Sequence, residues 1–242
     1  MHAPPDPSSL SNPHEVQVKH VSLALQVDFD KSILKGTAEL DAFVVKDHAT
    51  RLVLDTSDLV IGSIKIGGKQ VKWLQHPSHP IFGSALEISL PQKTRRGDNY
   101  KVVIAYSTSP RGSALQWLPA EQTAGKERPY FFTQCQAIHA RSLLPCQDAP
   151  AVKVTYTATI SCPPWATCLM SALCEPAASA DVAEADAPGV FRYRQPVPLP
   201  SYLIAMAVGL LESREISGRC RVWSEPSVVD LAASDFSQTE EF

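Results

Sequence analysis

Several things are missing from this 242-residue chain, and each absence excludes something. No long hydrophobic run is present: the stretch Leu203 to Leu211, with Gly209 inside it, is nine residues, about half of the roughly 18 to 20 needed to cross a bilayer, so no membrane span is expected. An excess of one charge is missing too. The 22 basic and 25 acidic side chains leave a net charge of −3, without the basic footprint of a nucleic-acid binder. The short basic run Lys93 to Arg96 (KTRR) reads as a turn. Charged residues make up only 19% of the chain, while the 44% apolar share is enough for a packed core and excludes disorder throughout. The opening MHAPPDPSSLSNPH contains four prolines and no apolar h-region, so the body of a secretory signal is lacking. Residues 1–13 are expected to form a flexible tail. Without an export signal, Cys135, Cys146, Cys162, Cys168, Cys174 and Cys220 are expected as free thiols in a cytoplasmic protein.

Helical periodicity is almost absent from the first two hundred residues. In its place, 20 prolines punctuate short runs of alternating apolar and polar residues, the period-two signature of strands. The expected strands are Val16 to Gln26, Lys35 to Val45, Thr50 to Asp55, Ala85 to Leu90, Tyr100 to Ser107, Tyr130 to Ala140, Val152 to Ser161, Leu169 to Leu173, Val190 to Gln195 and Tyr202 to Ser213. Ser63 to Val71 reads as a hairpin turning at Gly67-Gly68. Strands recurring every ten to twenty residues predict an all-β fold, an antiparallel sandwich or saddle. The small, acidic segment Cys174 to Gly189 reads as a mobile loop. Near the end, Gly218 to Ser224 reads as a further strand, and Ser227 to Phe242 starts a helix behind a serine cap. No closing signal follows that helix, so the expectation is a cut through a larger protein or a shortened isoform.

Catalytic signatures are missing as well. An HExxH zinc site needs two histidines one helical turn apart, and the nearest string, His14-Glu15-Val16-Gln17-Val18, lacks the second histidine. His76 and His79 sit in a proline-bracketed loop with no further ligand nearby. Cys162, Cys168 and Cys174 recur every six residues, not at the close paired spacing of structural zinc, and read as buried thiols. No GxSxG elbow and no glycine-rich phosphate loop occurs. As parts of one strand, Cys135 and His139 would lie more than about 10 Å apart, too far for a dyad.

The informative stretch is Tyr130 to Asp148, YFFTQCQAIHARSLLPCQD. Read as a strand, it puts Gln134 and Gln136 on the aromatic face of Tyr130 and Phe132. Burying a carboxamide without a partner costs about 1–3 kcal/mol, so these amides either are satisfied within the core or face a wet cleft. Both alternatives stay open on spacing alone.

Ser113 to Glu127 (SALQWLPAEQTAGKE) and Pro129 to Pro150 (PYFFTQCQAIHARSLLPCQDAP), together with SYLIAMAVG at Ser201 to Gly209, RVWSE at Arg221 to Glu225, LVLDTSD at Leu52 to Asp58 and ALEISLP at Ala85 to Pro91, resemble the gluzincin zinc aminopeptidases of the leukotriene A-4 hydrolase and aminopeptidase B group. The likeness covers nearly the whole chain beyond the tail. It implies an N-terminal β-saddle over about residues 14–208, with residues 209–242 beginning a thermolysin-like catalytic domain, and a helical domain beyond that. It also implies that Gln134, Cys135, Gln136 and Ala137 line the substrate pocket. In that role Gln136 would bond the substrate's amine or adjacent carbonyl, while Gln134 and Ala137 would shape the wall. A peptide or leukotriene A-4 would be the substrate, and zinc would be the cofactor of the full-length enzyme. The GxMEN and HExxH motifs of the group do not occur here. This chain alone is therefore expected to be inactive and to bind no zinc, partnered instead by the catalytic and helical domains. The rival expectation is a truncated, non-enzymatic β-sandwich that binds another protein.

Overall fold

A computed structural model describes residues 6–91, 93–175 and 187–241. Seventeen strands follow in chain order: β1 (Val16–Asp28), β2 (Ile33–Val44), β3 (Arg51–Thr56), β4 (Val60–Ile66), β5 (Lys69–Gln70), β6 (Trp73–Gln75), β7 (Ser84–Ser89), β8 (Asn99–Ser107) and β9 (Leu115–Leu118). The remainder are β10 (Tyr130–Thr133), β11 (Lys153–Cys162), β12 (Thr167–Met170), β13 (Leu173–Glu175), β14 (Gly189–Pro200), β15 (Met206–Gly209), β16 (Glu212–Glu215) and β17 (Arg221–Ser224), ahead of one helix, α1 (Val229–Asp235). The all-β class expected from the sequence is what forms.

Eight strands make one large sheet in the order β13-β14-β11-β1-β2-β8-β4-β5, with smaller sheets β12-β15-β10-β9 and β3-β7-β6. Strict alternation gives the large sheet one apolar face. On β2, for example, Leu34, Ala38, Leu40, Ala42 and Val44 are buried while Lys35 is exposed. Along β1 the spacing slips from Val18 to Val21, and a bulge between Val18 and His20 in the pairing with β2 absorbs the extra residue. Val16, Val18, Val21, Leu23, Leu25 and Val27 all remain buried in consequence. The apolar face shares one hydrophobic cluster with Leu52, Leu54, Leu86 and Ile88 of the three-stranded sheet and with Phe131, Cys168, Met206 and Val208 of the four-stranded sheet. Burial of that shared surface drives the layers together.

Gly67 and Gly68 turn the β4–β5 hairpin at φ of 56° and 77°, angles that a side chain disfavours. One pairing departs from the antiparallel expectation: β1 runs parallel to β11, with His20 opposite Thr155.

Other departures have local causes. Residues 6–13, expected to be loose, are tied down: Ser9 Oγ donates to Asp55 at 2.6 Å, Leu10 N–H donates to the same carboxylate at 2.6 Å, and Asn12 Oδ1 accepts from Val53 N–H. The expected loop between Cys174 and Gly189 falls at residues 176–186 outside the described residues, and both its flanks are strands, β13 and β14. Leu169 to Leu173 divides between β12 and β13. Tyr202 to Ser213 divides into a 3-10 turn, β15 and the start of β16. The helix is short, and its cap position is Val228, with no side-chain cap bond. It is held by buried Val229 and by the pairing of Asp230 with Arg214 at 2.6 Å.

Candidate functional site

The expected strand Tyr130 to Ala140 ends at Thr133, where β10 ceases to pair with β9 and β15. Up to that point the alternation is real. Phe131 is fully buried and stacks on Trp117 with ring centroids 4.1 Å apart. Beyond it the chain turns, and a 3-10 turn spans Ala140–Ser142. Gln134, Gln136 and Ala137 are exposed, and the Gln136–Ala137 peptide is cis. Gln136 N–H donates to Gln134 Oε1 at 3.0 Å, so the first carboxamide braces the backbone that carries the second.

Cys135 behaves differently from its neighbours. Its side chain is 2% exposed, and burial, reinforced by the nearby charge of Asp148, pushes its thiol up to about 12. It anchors the turn and is no nucleophile at neutral pH. Of the four residues marked by the resemblance, three present side chains to solvent and Cys135 contributes only backbone to that surface. The turn also brings His139 back toward Cys135, whose carbonyl accepts from His139 N–H at 2.9 Å. The separation expected of an extended strand therefore does not hold. The imidazole is bonded elsewhere, Nδ1 lying 2.7 Å from Ser113 Oγ.

Under the turn lies a charged knot that sequence reasoning missed. Arg141 is 1% exposed. Its Nε donates to Asp148 Oδ2 at 3.0 Å, its Nη1 to Phe82 O at 2.7 Å, and its Nη2 to Asp148 O at 3.3 Å. Asp55, also fully buried, lies 3.9 Å from Nη1 and accepts from Asp148 N–H at 2.9 Å. Ser201 Oγ donates to Asp148 Oδ1 at 2.6 Å. One cation facing two carboxylates leaves the knot short of positive charge. Desolvation accordingly raises the Asp148 carboxyl above its ordinary range, against the pull of Ser201 and Arg141. Gly83, next to Phe82, adopts φ of 71°, and a Cβ there would lie 2.2 Å from Thr56 O. Only glycine lets this chain approach closely enough to complete the cage. The local signal for the knot was Arg141 and Asp148, the sole Arg, Lys, Asp or Glu residues between Ile138 and Ala149. Its third member, Asp55, carried none.

Gln147 completes the picture. It is buried, its Nε2 donates to Val16 O at 2.7 Å, and its Oε1 accepts from Val18 N–H at 2.9 Å. This carboxamide substitutes for a strand partner at the start of β1. Among the described residues, no three His, Cys, Asp or Glu side chains converge in a way that could hold a metal ion. Among the same residues, no helix is long and apolar enough to cross a membrane.

The class follows from this fold: residues 17–203 match the Peptidase M1 N-terminal domain, and the chain belongs to that family. The particular relatives are enzymes. A leukotriene A-4 hydrolase from Xenopus laevis is 41% identical over 97% of this chain and 38% of its own length. A leucine aminopeptidase 2 from Yarrowia lipolytica is 41% identical over 98% of this chain and 35% of its own. Among solved structures, leukotriene A4 hydrolase from Saccharomyces cerevisiae superposes with a TM-score of 0.85 at 34% identity, covering 98% of this chain and 36% of that one. The chain thus spans less than two fifths of the length of these relatives. An M1 zinc metallopeptidase from Deinococcus radiodurans, at 23% identity and a TM-score of 0.68, shares the fold.

Proposed function

We propose that this chain is the N-terminal domain of a zinc aminopeptidase and epoxide hydrolase of the leukotriene A-4 hydrolase kind, and that its turn at Gln134–Ala137 forms one wall of the substrate pocket. The β-saddle occupies about residues 14–208 and residues 209–242 begin the catalytic domain, whose zinc and catalytic groups come from a longer polypeptide. The carrying observation is the exposure of Gln134 and Gln136 on a turn whose neighbours, Cys135 and Arg141, are anchored in the core. A carboxamide suits a peptide terminus: its oxygen accepts from an ammonium and its NH₂ donates to a carbonyl, with no net charge to repel either. Gln136 is assigned that contact, and Gln134 holds its backbone. Relatives named as a leukotriene A-4 hydrolase and as leucine aminopeptidases support both a peptide and leukotriene A-4 as substrates. Six free cysteines suit a reducing compartment, and the cytoplasm is proposed.

The test has two arms. In the full-length enzyme, Gln136→Leu should raise the peptide KM about three- to tenfold, the range of one lost hydrogen bond, with zinc content unchanged. An unchanged KM would remove Gln136 from the pocket. The 242-residue chain by itself should neither retain stoichiometric zinc after dialysis nor release an N-terminal amino acid from a short peptide, and turnover above background would overturn that assignment.

A further inference from the structure

A closed ring of hydrogen bonds surrounds the amide turn. Gln134 N–H donates to Ala114 O at 2.8 Å, Ala114 N–H to Ser142 Oγ at 2.8 Å, Ser142 Oγ to His139 O at 2.9 Å, and His139 N–H to Cys135 O at 2.9 Å. Beside it, the imidazole Nδ1 of His139 meets Ser113 Oγ at 2.7 Å. Ser142 is fully buried at the centre, whereas Ser113 is exposed at the rim. Its members are buried Ser142 and backbone groups of Ala114 before β9 and of Gln134, Cys135 and His139 after β10, with exposed Ser113 and the half-buried His139 ring at its side. What the ring does is fix both ends of the Gln134–His139 turn, one end through Ala114 and the other through the imidazole and Ser142.

We infer that Ser113 and His139 are positioning residues for substrate recognition: their side-chain pair, closed on Ser142, holds the Gln134–Gln136 turn in the orientation in which the Gln136 carboxamide meets a peptide terminus. The inference rests on the pocket-wall reading above. A turn that presents two uncharged amides binds well only if their directions are set before the ligand arrives, because ordering them at the moment of binding subtracts from affinity. The Ser113 hydroxyl is suited to the task. It can donate to, or accept from, the ring nitrogen that it meets.

The experiment compares Ser113→Ala, Ser113→Thr and Gln136→Leu in the full-length zinc enzyme that carries this chain. Ser113→Ala should raise the peptide KM about three- to tenfold with kcat and zinc content unchanged, the pattern of lost binding shared by ground and transition states, and Ser113→Thr, which keeps the hydroxyl, should restore it. In the 242-residue chain, Ser113→Ala should speed exchange of the His139 amide several-fold. A KM raised by Gln136→Leu but not by Ser113→Ala overturns the positioning role and leaves the pocket wall standing. A KM moved by neither variant removes both. A fall in kcat that Ser113→Thr does not rescue, or an unchanged exchange rate at His139, assigns Ser113 to general architecture instead.

Discussion

Gln134 and Gln147 are thirteen positions apart, and the same side chain does opposite work at the two places. Gln147 is inside the protein, spending both ends of its amide on the backbone of β1. Gln134 and Gln136 are outside, with one internal bond between them and the rest of their hydrogen-bonding capacity turned to solvent. A buried carboxamide that is fully satisfied fixes a strand, whereas an exposed one left open is available to a ligand. Arg141 lies between them in sequence, and its knot with Asp148 and Asp55 anchors the chain that follows the turn.

The contrast can be broken most forcefully from below. Arg141→Met should lower stability by about 3–5 kcal/mol, because it leaves two carboxylates buried without their cation, and urea denaturation would measure it. A loss under 1 kcal/mol would mean that the knot is decorative. A subtler effect is expected at Asp148. Its folded-state pKa is raised, so the stability it contributes is fully present below its ordinary value near 3.8 and is lost as pH rises through the higher folded value. Wild type should therefore lose ground against Asp148→Asn as pH climbs through that window, with a constant difference below it. A growing wild-type advantage would show that pairing with Arg141 outweighs desolvation. The smallest effect belongs on top: Gln136→Leu should leave unfolding free energy within about 0.5 kcal/mol of wild type, and a larger loss would make Gln136 a structural residue like Gln147.

Alternation makes most of the large sheet legible in the sequence. β2, β8 and β11 bury alternate residues, β1 does so on either side of its bulge, and the Gly67-Gly68 hairpin sits where its dipeptide indicates. Alternation also misled. The alternate-residue face of Tyr130 and Phe132 extends in the letters to Gln134 and Gln136 after the strand has ended at Thr133, because a period-two reading does not register loss of a pairing partner. The turn is set instead by Ala114, remote in sequence, together with the neighbouring Ser142, and the knot by the remote Asp55 and Ser201. The four-residue β9 was missed since a short run such as Leu115 to Leu118 has too few positions to show a period. Chemical character survived these errors: the two amides following the aromatics are exposed, as a wet cleft would require, on a turn in place of a strand.

The parallel seam between β1 and β11 has a consequence for biosynthesis. The β1–β2 hairpin is local and can close early, whereas β1's other edge must await a strand whose first residue is Lys153. At about 5–20 residues per second, the roughly hundred residues separating Val44 from that point take on the order of 5 to 20 s to emerge. For that interval the nascent chain displays an open, valine-rich edge able to pair with a neighbour on the same message. Slower elongation lengthens the vulnerable period, so recombinant yield should follow translation speed as well as final stability.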